Sequence, residues 1–167
     1  IADYTKAIEL DPEDAFTYAN RGRAYGDLGQ YQQAIADSAK AIELDPEYVS
    51  AYHNRGGTYF RLDQYQQAIA DFTKAIELAP EDADAYHSLG ETHRLSGNYS
   101  KAIENYQKTI ELDPQHRGAY YNLGFTYYLQ NRPYLSVRAY LMGFLHDKNA
   151  LDAVRTLTWK DILTGRF

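Results

Sequence analysis

Four prolines recur along the chain at a constant spacing. They are Pro12, Pro46, Pro80 and Pro114, and each follows the one before it by 34 residues. A fixed period of this length is typical of a solenoid that repeats one helical hairpin. The period therefore predicts the architecture of the chain. It also indicates a binding function, but it does not identify the ligand.

Small and aromatic residues recur at the same period. The recurring tyrosines, glycines and alanines are Tyr18, Tyr52, Tyr86 and Tyr120; Gly22, Gly56, Gly90 and Gly124; and Ala34, Ala68 and Ala102. This order of ring, glycine, alanine and proline resembles the tetratricopeptide repeat (TPR) family, in particular its bacterial-type arrays, over nearly the whole chain. The resemblance implies an all-α fold, a right-handed superhelical solenoid of antiparallel helix pairs.

Each half of the repeat has the apolar spacing of an amphipathic helix. First helices are predicted near 15–28, 49–62, 83–96 and 117–130. Second helices are predicted near 1–10, 31–44, 65–78, 99–112 and 134–146, the last one starting at Pro133. A further helix near 150–163, with apolar Leu151, Val154, Leu157 and Ile162, is predicted to cap the array at its C-terminal end. The expected units of this one domain are a truncated repeat at 1–14, repeats at 15–48, 49–82 and 83–116, a degenerate repeat at 117–150, and the capping helix and tail at 151–167.

The glycine column needs a packing reason, because glycine within a helix costs about 1 kcal/mol relative to alanine. We expect it to face the alanine column of the paired helix, so that two small residues let the backbones approach. Ser38 stands where the equivalent residues carry rings, namely Tyr4, Phe72, Tyr106 and Tyr140. The missing ring should leave a gap or draw in a neighbour.

Arginine and aspartate co-vary between the repeats. Arg21 and Arg55 occupy a column that later holds leucine, and the column of Asp37 and Asp71 later holds asparagine and alanine. This pattern predicts ion pairs within repeats, Arg21 with Asp37 and Arg55 with Asp71. The alternative is pairing across repeats, Arg21 with Asp3 and Arg55 with Asp37.

The composition limits the classes of partner. A formal net charge of −6 does not fit nucleic-acid binding. No apolar run approaches the length of a membrane span. The absence of cysteine fits a reducing, cytoplasmic compartment. The chain begins at Ile1 within a second helix, so it is interpreted as a fragment of a longer protein.

By the resemblance, the first helices line a concave groove. The predicted groove residues are Asn20, Arg23, His53, Asn54, Phe60, Arg61, His87, Arg94, Tyr121, Asn122, Phe125 and Tyr128. Among them Tyr121, Phe125 and Tyr128 share one helix face. This aromatic stripe is either an exposed partner site or is covered by the C-terminal helix. The asparagine column is interpreted as binding a peptide backbone. The arginines distribute positive charge along the groove, which Asp27, Asp84 and Glu91 offset.

Several kinds of site are not expected. Chaperone-cochaperone members of the family hold an acidic tail with a clamp of lysine, asparagine and arginine, and of its columns only Asn54 fits here. The columns otherwise contain Ala19 and Arg23 or His53 and Gly57, and then Asp84 and Ser88 or Gly118 and Asn122. His53 and His87 share a column without further ligands, so no metal site is predicted. No catalytic arrangement or cofactor motif is present.

The leading interpretation is a non-catalytic scaffold that binds a peptide or protein segment in the groove. One alternative is self-assembly into a homo-oligomer through the exposed solenoid end near Ile1, Tyr4 and Ile8. The other is a TPR segment of a larger enzyme or regulator, with the chemistry elsewhere.

Overall fold

The computed structural model describes residues 1–144, which fold into nine α-helices joined by short turns. In chain order the helices are α1 (Ala2–Leu10), α2 (Ala15–Asp27), α3 (Tyr31–Leu44), α4 (Val49–Arg61), α5 (Tyr65–Leu78), α6 (Ala83–Leu95), α7 (Tyr99–Leu112), α8 (Arg117–Leu129) and α9 (Pro133–Phe144). The predicted helices within this range are all present, and α9 begins at the proline as expected. The predicted capping helix near 150–163 lies outside the described residues.

Local signals explain where the helices begin and end. Asp14 caps α2, since its carboxylate accepts a hydrogen bond from the backbone N–H of Phe16 at 3.1 Å. Asp82 does the same for α6. At the other end of a repeat, Asp45 is extended, with φ −137° and ψ 96°, because the following proline disfavours the helical conformation. The repeats therefore share the same helix stop, whereas the start varies, since Tyr48 makes no side-chain cap for α4.

The helices pack as sequential antiparallel pairs, and the predicted all-α repeat architecture is confirmed. Helix α2 pairs with α3, α4 with α5, α6 with α7 and α8 with α9, and the second helix of each pair also packs on the next first helix. The first helices α2, α4, α6 and α8 contact one another in succession as well. They thus form a continuous surface, called the first-helix face below, that runs along the described array.

Gly56, Gly90 and Gly124 face aromatic rings, and for these three glycines the prediction that the column faces alanines is wrong. A Cβ atom placed on Gly90 would lie 2.8 Å from Cε1 of Tyr106, and one on Gly124 would lie 3.0 Å from Cε1 of Tyr140. Gly56 meets Phe72 in the same way, at 3.1 Å. The ring of the second helix lies over the place where a first-helix side chain would begin, so the glycine makes room for the ring.

Ser38 shows what happens when the ring is absent. A Cβ atom on Gly22 would lie 3.0 Å from the Ser38 hydroxyl oxygen, 3.1 Å from the carbonyl oxygen of Ala34 and 3.2 Å from the backbone nitrogen of Ser38. Helix α3 itself therefore takes the place of the ring, and Ser38 is fully buried. The two helices of this hairpin lie close together at Gly22 and Ser38. We expected either a gap or a neighbouring side chain in the place of the ring, and neither is present.

The two arginine–aspartate pairs form within their repeats, as predicted. The guanidinium of Arg21 donates from Nε and Nη2 to the two carboxylate oxygens of Asp37 at 2.7 and 2.9 Å. Arg55 makes the same bidentate contact with Asp71, with hydrogen bonds of 2.8 and 2.7 Å. Both aspartates are buried. Their negative charges are stable there because each carboxylate is paired with an arginine through two hydrogen bonds. The alternative pairing across repeats does not form, although Nη1 of Arg21 also donates to Thr5 in α1 at 3.1 Å.

Two glycine-to-alanine substitutions should have opposite effects on stability. We expect Gly90→Ala to lower the free energy of unfolding by about 1–3 kcal/mol, because its methyl group overlaps the Tyr106 ring. Gly57 is also helical, but a Cβ there would meet nothing within 4 Å. Gly57→Ala should therefore raise the free energy of unfolding by about 0.5–1 kcal/mol. Urea denaturation measures both, and a loss of equal size in the two variants would contradict the ring–glycine account.

Removing one partner of the first ion pair should destabilise the fold. We expect Asp37→Ala to lower the free energy of unfolding by about 3 kcal/mol, because the largely buried Arg21 guanidinium keeps its charge without a partner. The double variant Arg21→Leu with Asp37→Asn copies the third repeat, where Leu89 and Asn105 hold these columns. It should recover most of the loss in thermal or urea denaturation. A double variant as unstable as Asp37→Ala would show that the charge pair is not the reason.

Candidate functional site

All twelve predicted groove residues lie on the four helices of the first-helix face. Asn20 and Arg23 belong to α2; the others follow on α4, α6 and α8 as His53, Asn54, Phe60 and Arg61; His87 and Arg94; and Tyr121, Asn122, Phe125 and Tyr128. The structure brings all of them except Phe60 together in three places, namely the two cavities between α2 and α4, a histidine cluster between α6 and α8, and the aromatic stripe on α8.

Two adjoining cavities lie between α2 and α4. One has a volume of about 280 Å³ and the other about 240 Å³, and both are lined by Arg23, His53 and Asn54. Gly57 lines the second cavity and leaves its wall open where the equivalent residues carry side chains. The predicted residue Phe60 does not line either cavity. It packs edge-on to Tyr65, with ring centroids 6.3 Å apart, beside the core cluster of Ala68, Phe72 and Leu89.

The asparagine column holds neighbouring first helices together. The side-chain nitrogen of Asn54 donates to the carbonyl oxygen of Ala19 on α2 at 3.1 Å. Asn122 reaches back to α6 in the same sense. Asn20 differs, because its amide donates to Phe16 in its own helix at 2.9 Å. Each amide nitrogen is thus engaged within the protein, but Asn20 and Asn54 each use one N–H and keep the second N–H and the amide oxygen for a ligand.

The three predicted groove arginines differ in how they are held. Nη1 of Arg61 donates to the carbonyl oxygen of Gly26 at 2.8 Å, and its Nη2 lies 3.6 Å from a carboxylate oxygen of Asp27. Arg94 lies over the ring of Phe125, 5.6 Å from its centroid. Arg23 is exposed and has no hydrogen-bond or ion-pair partner among residues 1–144. It is therefore a free positive charge at the edge of both cavities.

The aromatic stripe is largely open within the described part of the chain. Tyr121 is 63% exposed and Tyr128 is 66% exposed, whereas Phe125 between them is half-buried. The rings of Phe125 and Tyr128 are stacked, with centroids 6.4 Å apart, and Tyr121 lies 5.6 Å from the ring of Tyr140. Coverage by the C-terminal helix concerns residues that the structure does not describe. Core positions of α8 are filled by other residues, Tyr120, Leu123 and Tyr127.

A cluster of polar side chains joins α6 to α8. His87 Nε2 lies 3.0 Å from the amide nitrogen of Asn122, and the His87 and His116 rings are 4.5 Å apart. Nε2 of His116 lies 3.3 Å from a carboxylate oxygen of Asp84. Burial holds the pKa of His87 below its usual value; the charge of His116 acts in the same direction, and the carboxylates of Glu91 and Asp84 oppose it.

Sequence reasoning missed His116, although a signal was present. Residue 116 belongs to the same 34-residue column as Asp14 and Asp82, the residues that cap α2 and α6. In the same role, His116 accepts a hydrogen bond from the backbone N–H of Ala119 at 3.0 Å. A histidine in a capping column directly before α8, the helix that packs beside the His87 helix α6, would have pointed to this cluster.

Two other properties bear on function. No group of three or more histidine, aspartate or glutamate side chains among residues 1–144 is arranged to hold a metal ion. Over the same residues, every helix is too short or too polar to cross a membrane.

Comparisons with known proteins agree with this architecture. Family models described as tetratricopeptide repeat match residues 3–36 and 47–115, and a model described as TPR repeat matches residues 22–63. A crystal structure of MamA is 30% identical with a TM-score of 0.80, and the match covers 92% of this chain and 88% of that one. A second MamA crystal structure is 32% identical with a TM-score of 0.79, covering 93% of this chain and 84% of that one.

A third similar structure contains a bound peptide. It is the first TPR of Spaghetti (RPAP3) bound to the HSP90 peptide SRMEEVD, with 26% identity and a TM-score of 0.69, and it covers 72% of this chain and 96% of that one. Together with the repeat columns, these matches show that the chain belongs to the tetratricopeptide repeat family. It is a TPR domain, a protein–protein interaction module whose fold is typically non-catalytic.

The asparagine bonds give a matched pair of variants. We expect Asn54→Ala to lower the free energy of unfolding by about 1 kcal/mol, because it removes a partly buried bond between repeats. Asn20→Ala removes a bond within one exposed helix turn and should change the same quantity by less than about 0.5 kcal/mol. Urea denaturation of both variants tests the assignment. Equal effects would mean that the Asn54 amide does not link α2 to α4.

Proposed function

We propose that this TPR domain is a non-catalytic scaffold that binds a segment of another protein along the first-helix face. The observation that carries the proposal is the aromatic stripe, in which Tyr121 and Tyr128 expose more than three-fifths of their surface. Exposed aromatic side chains next to one another are enriched at protein interfaces, because they bury much apolar area and order few torsions when a partner binds.

The two ends of the face favour different groups on the ligand. At α8 the surface is aromatic, and Arg94 covers one side of the Phe125 ring. At α2 and α4 the cavities are lined by Asn54, His53 and the exposed Arg23. A segment with an apolar or aromatic side chain at one end and a polar or acidic one at the other complements this gradient.

The proposed ligand is not the acidic tail of a chaperone. The relative that binds the HSP90 peptide supports the use of a TPR surface for peptide capture. In this chain, however, the columns of the acidic-tail clamp contain Asp84 and Ser88, or Gly118 and Asn122, where that clamp needs basic groups. Asp84 is exposed on the first-helix face and would repel a carboxylate there.

Removal of the exposed tyrosines should weaken capture without unfolding the domain. Random twelve-residue peptides displayed on phage would be selected on the full chain, and the enriched peptides titrated by fluorescence polarisation. We expect Tyr121→Ala with Tyr128→Ala to weaken their binding by about tenfold or more, because two exposed anchors are lost. Circular dichroism should remain that of the unmodified chain, since neither ring belongs to the core.

Leu28→Ala is the matched control. Leu28 is 65% exposed, as much as the two tyrosines, but it lies in the turn between α2 and α3. Its loss should leave peptide binding within about twofold of the unmodified chain. Enriched peptides that bind the double tyrosine variant as tightly as the original chain would overturn the site, and selections that enrich no peptide would overturn the proposed function.

A further inference from the structure

A pocket in the last described hairpin, called the end pocket below, is open to solvent. It has a volume of about 470 Å³ and is lined by Arg117 and Tyr121 from α8 and by Tyr140, Gly143 and Phe144 from α9. Phe144 is 79% exposed and Tyr121 is 63% exposed. Two large aromatic side chains therefore stand open at one place, and the chain continues directly from one of them with residues that the structure does not describe.

The equivalent place in the first repeat is filled by the helix that follows. Three periods earlier, the positions of Arg117, Tyr121, Gly143 and Phe144 are held by Ala15, Ala19, Ala41 and Ile42. These four residues pack in one cluster with Ala51, on the first turn of α4, and with Tyr48, which directly precedes that helix. The start of the next first helix therefore covers this place.

The later repeats close the same place in the same way. Ala85 and Ala119, the equivalents of Ala51, are fully buried on the first turns of α6 and α8. The ring of His116, the equivalent of Tyr48, lies 4.5 Å from the ring of His87, the equivalent of Tyr121. The contacts that a segment must make in order to fill the end pocket are thus given by three earlier joints, α3 with α4, α5 with α6 and α7 with α8.

The sequence that follows α9 carries the side chains that this place takes. Ala153 continues the column of buried alanines. Leu157 continues the column of Leu89 and Leu123, each of which packs in a core cluster with the ring of the preceding second helix. The equivalent ring for Leu157 is that of Tyr140, which is a wall of the end pocket.

Two residues after α9 depart from the repeat, and neither is at a position that enters the end pocket. Lys148 stands in the proline column, whose members lie in the turn before a first helix. Thr158 stands in the glycine column, and Gly124 of that column faces the ring of its own hairpin, not that of the preceding one. The alanine and leucine columns, which make the contacts with the preceding repeat, are both kept.

The single tryptophan of the chain has a defined place in this register. Trp159 lies one period after Phe125, and the guanidinium of Arg94 on the preceding first helix lies 5.6 Å from the Phe125 ring centroid. One period after Arg94 is Tyr128. The same contact at the next joint therefore sets Trp159 beside Tyr128.

We propose that residues 151–163 dock in the end pocket as a further first helix, in the register of the repeat, with Ala153 against Tyr121 and Trp159 beside Tyr128. The occupant is the chain's own segment because Phe144 itself lines the pocket, so residues 145–150 need only form a turn to bring the chain back to it. Docking removes the apolar surface of the pocket from water, as the next helix does at each earlier joint.

The docking does not rest on the proposed function, but its consequence for a ligand does. Tyr121 then lies against the segment, as His87 lies against His116. A ligand on the first-helix face meets Tyr128 with Trp159 next to it. The aromatic stripe is thereby extended by one ring, and the double tyrosine variant still removes a ring from its centre.

Fluorescence of Trp159 in the full chain tests the docking without any ligand. We expect Ala153→Arg to raise the acrylamide quenching constant by about twofold or more, because a charge in the buried alanine column releases the segment into solvent. Asp152→Arg is the matched control, since its column is exposed at Phe16, Ser50 and Asp84. It should change the quenching constant by less than about a quarter. Equal quenching in the original chain and Ala153→Arg, or an equal rise in both variants, would overturn the proposal.

A second measurement uses the unmodified chain, so it holds even if a variant misfolds. Nuclear Overhauser spectra should show the Ala153 methyl group near the Tyr121 ring and the Trp159 indole near the Tyr128 ring. Absence of both contacts would overturn the docking. Contacts found only between labelled and unlabelled chains in a mixed sample would also overturn it, because the occupant would then be a second copy. Selections that enrich no peptide would count against the proposed function alone, since neither measurement includes a ligand.

Discussion

The contact between a second-helix ring and a first-helix glycine determines the geometry of this molecule. In three successive hairpins, the edge of Phe72, Tyr106 or Tyr140 comes within about 3 Å of the place where a Cβ would stand on the partner helix. Only glycine allows that approach, and it fixes the spacing of the two helices. Since each pair then stacks on the next, the positions of α4, α6 and α8 depend on this contact, and with them most of the surface available to a partner.

The fold could be predicted almost entirely from the sequence, because a fixed period shows which residues are equivalent. The helix bounds followed from prolines and apolar spacing. The Arg21–Asp37 pair followed from comparing repeats, in which the two columns change together. The partner of the glycine column could not be derived in this way. A period shows which residues are equivalent in successive repeats, but it does not show which two columns are in contact. The contact depends on how the paired helices are rotated about their axes, and a rotation by one side chain changes it.

For the candidate site, the sequence predicts which residues lie on the first helices but not which contacts they make. The bonds of Asn54 and Arg61 to the preceding repeat depend on how one hairpin is rotated against the next, which no single column encodes. His116 lies just before α8, in a capping position where aspartate is usual, so a search of helix faces passes over it. The column of Phe60 predicts that it lies in the groove, but its ring packs against Tyr65 at the edge of the hydrophobic core.

The bonds along the first-helix face also give the array a direction. Asn54, Arg61 and Asn122 all reach from a later repeat to an earlier one, and two of them donate to backbone carbonyl groups. If α2 separates from α4, the donors on α4 lose their acceptors, whereas the carbonyl of Ala19 keeps its place in its own helix ladder. Fraying that starts at the first repeat thus strands side-chain donors on the repeat that follows. The two ends of the array therefore differ in the groups that they expose on opening, which are side-chain donors at one end and backbone carbonyl groups at the other.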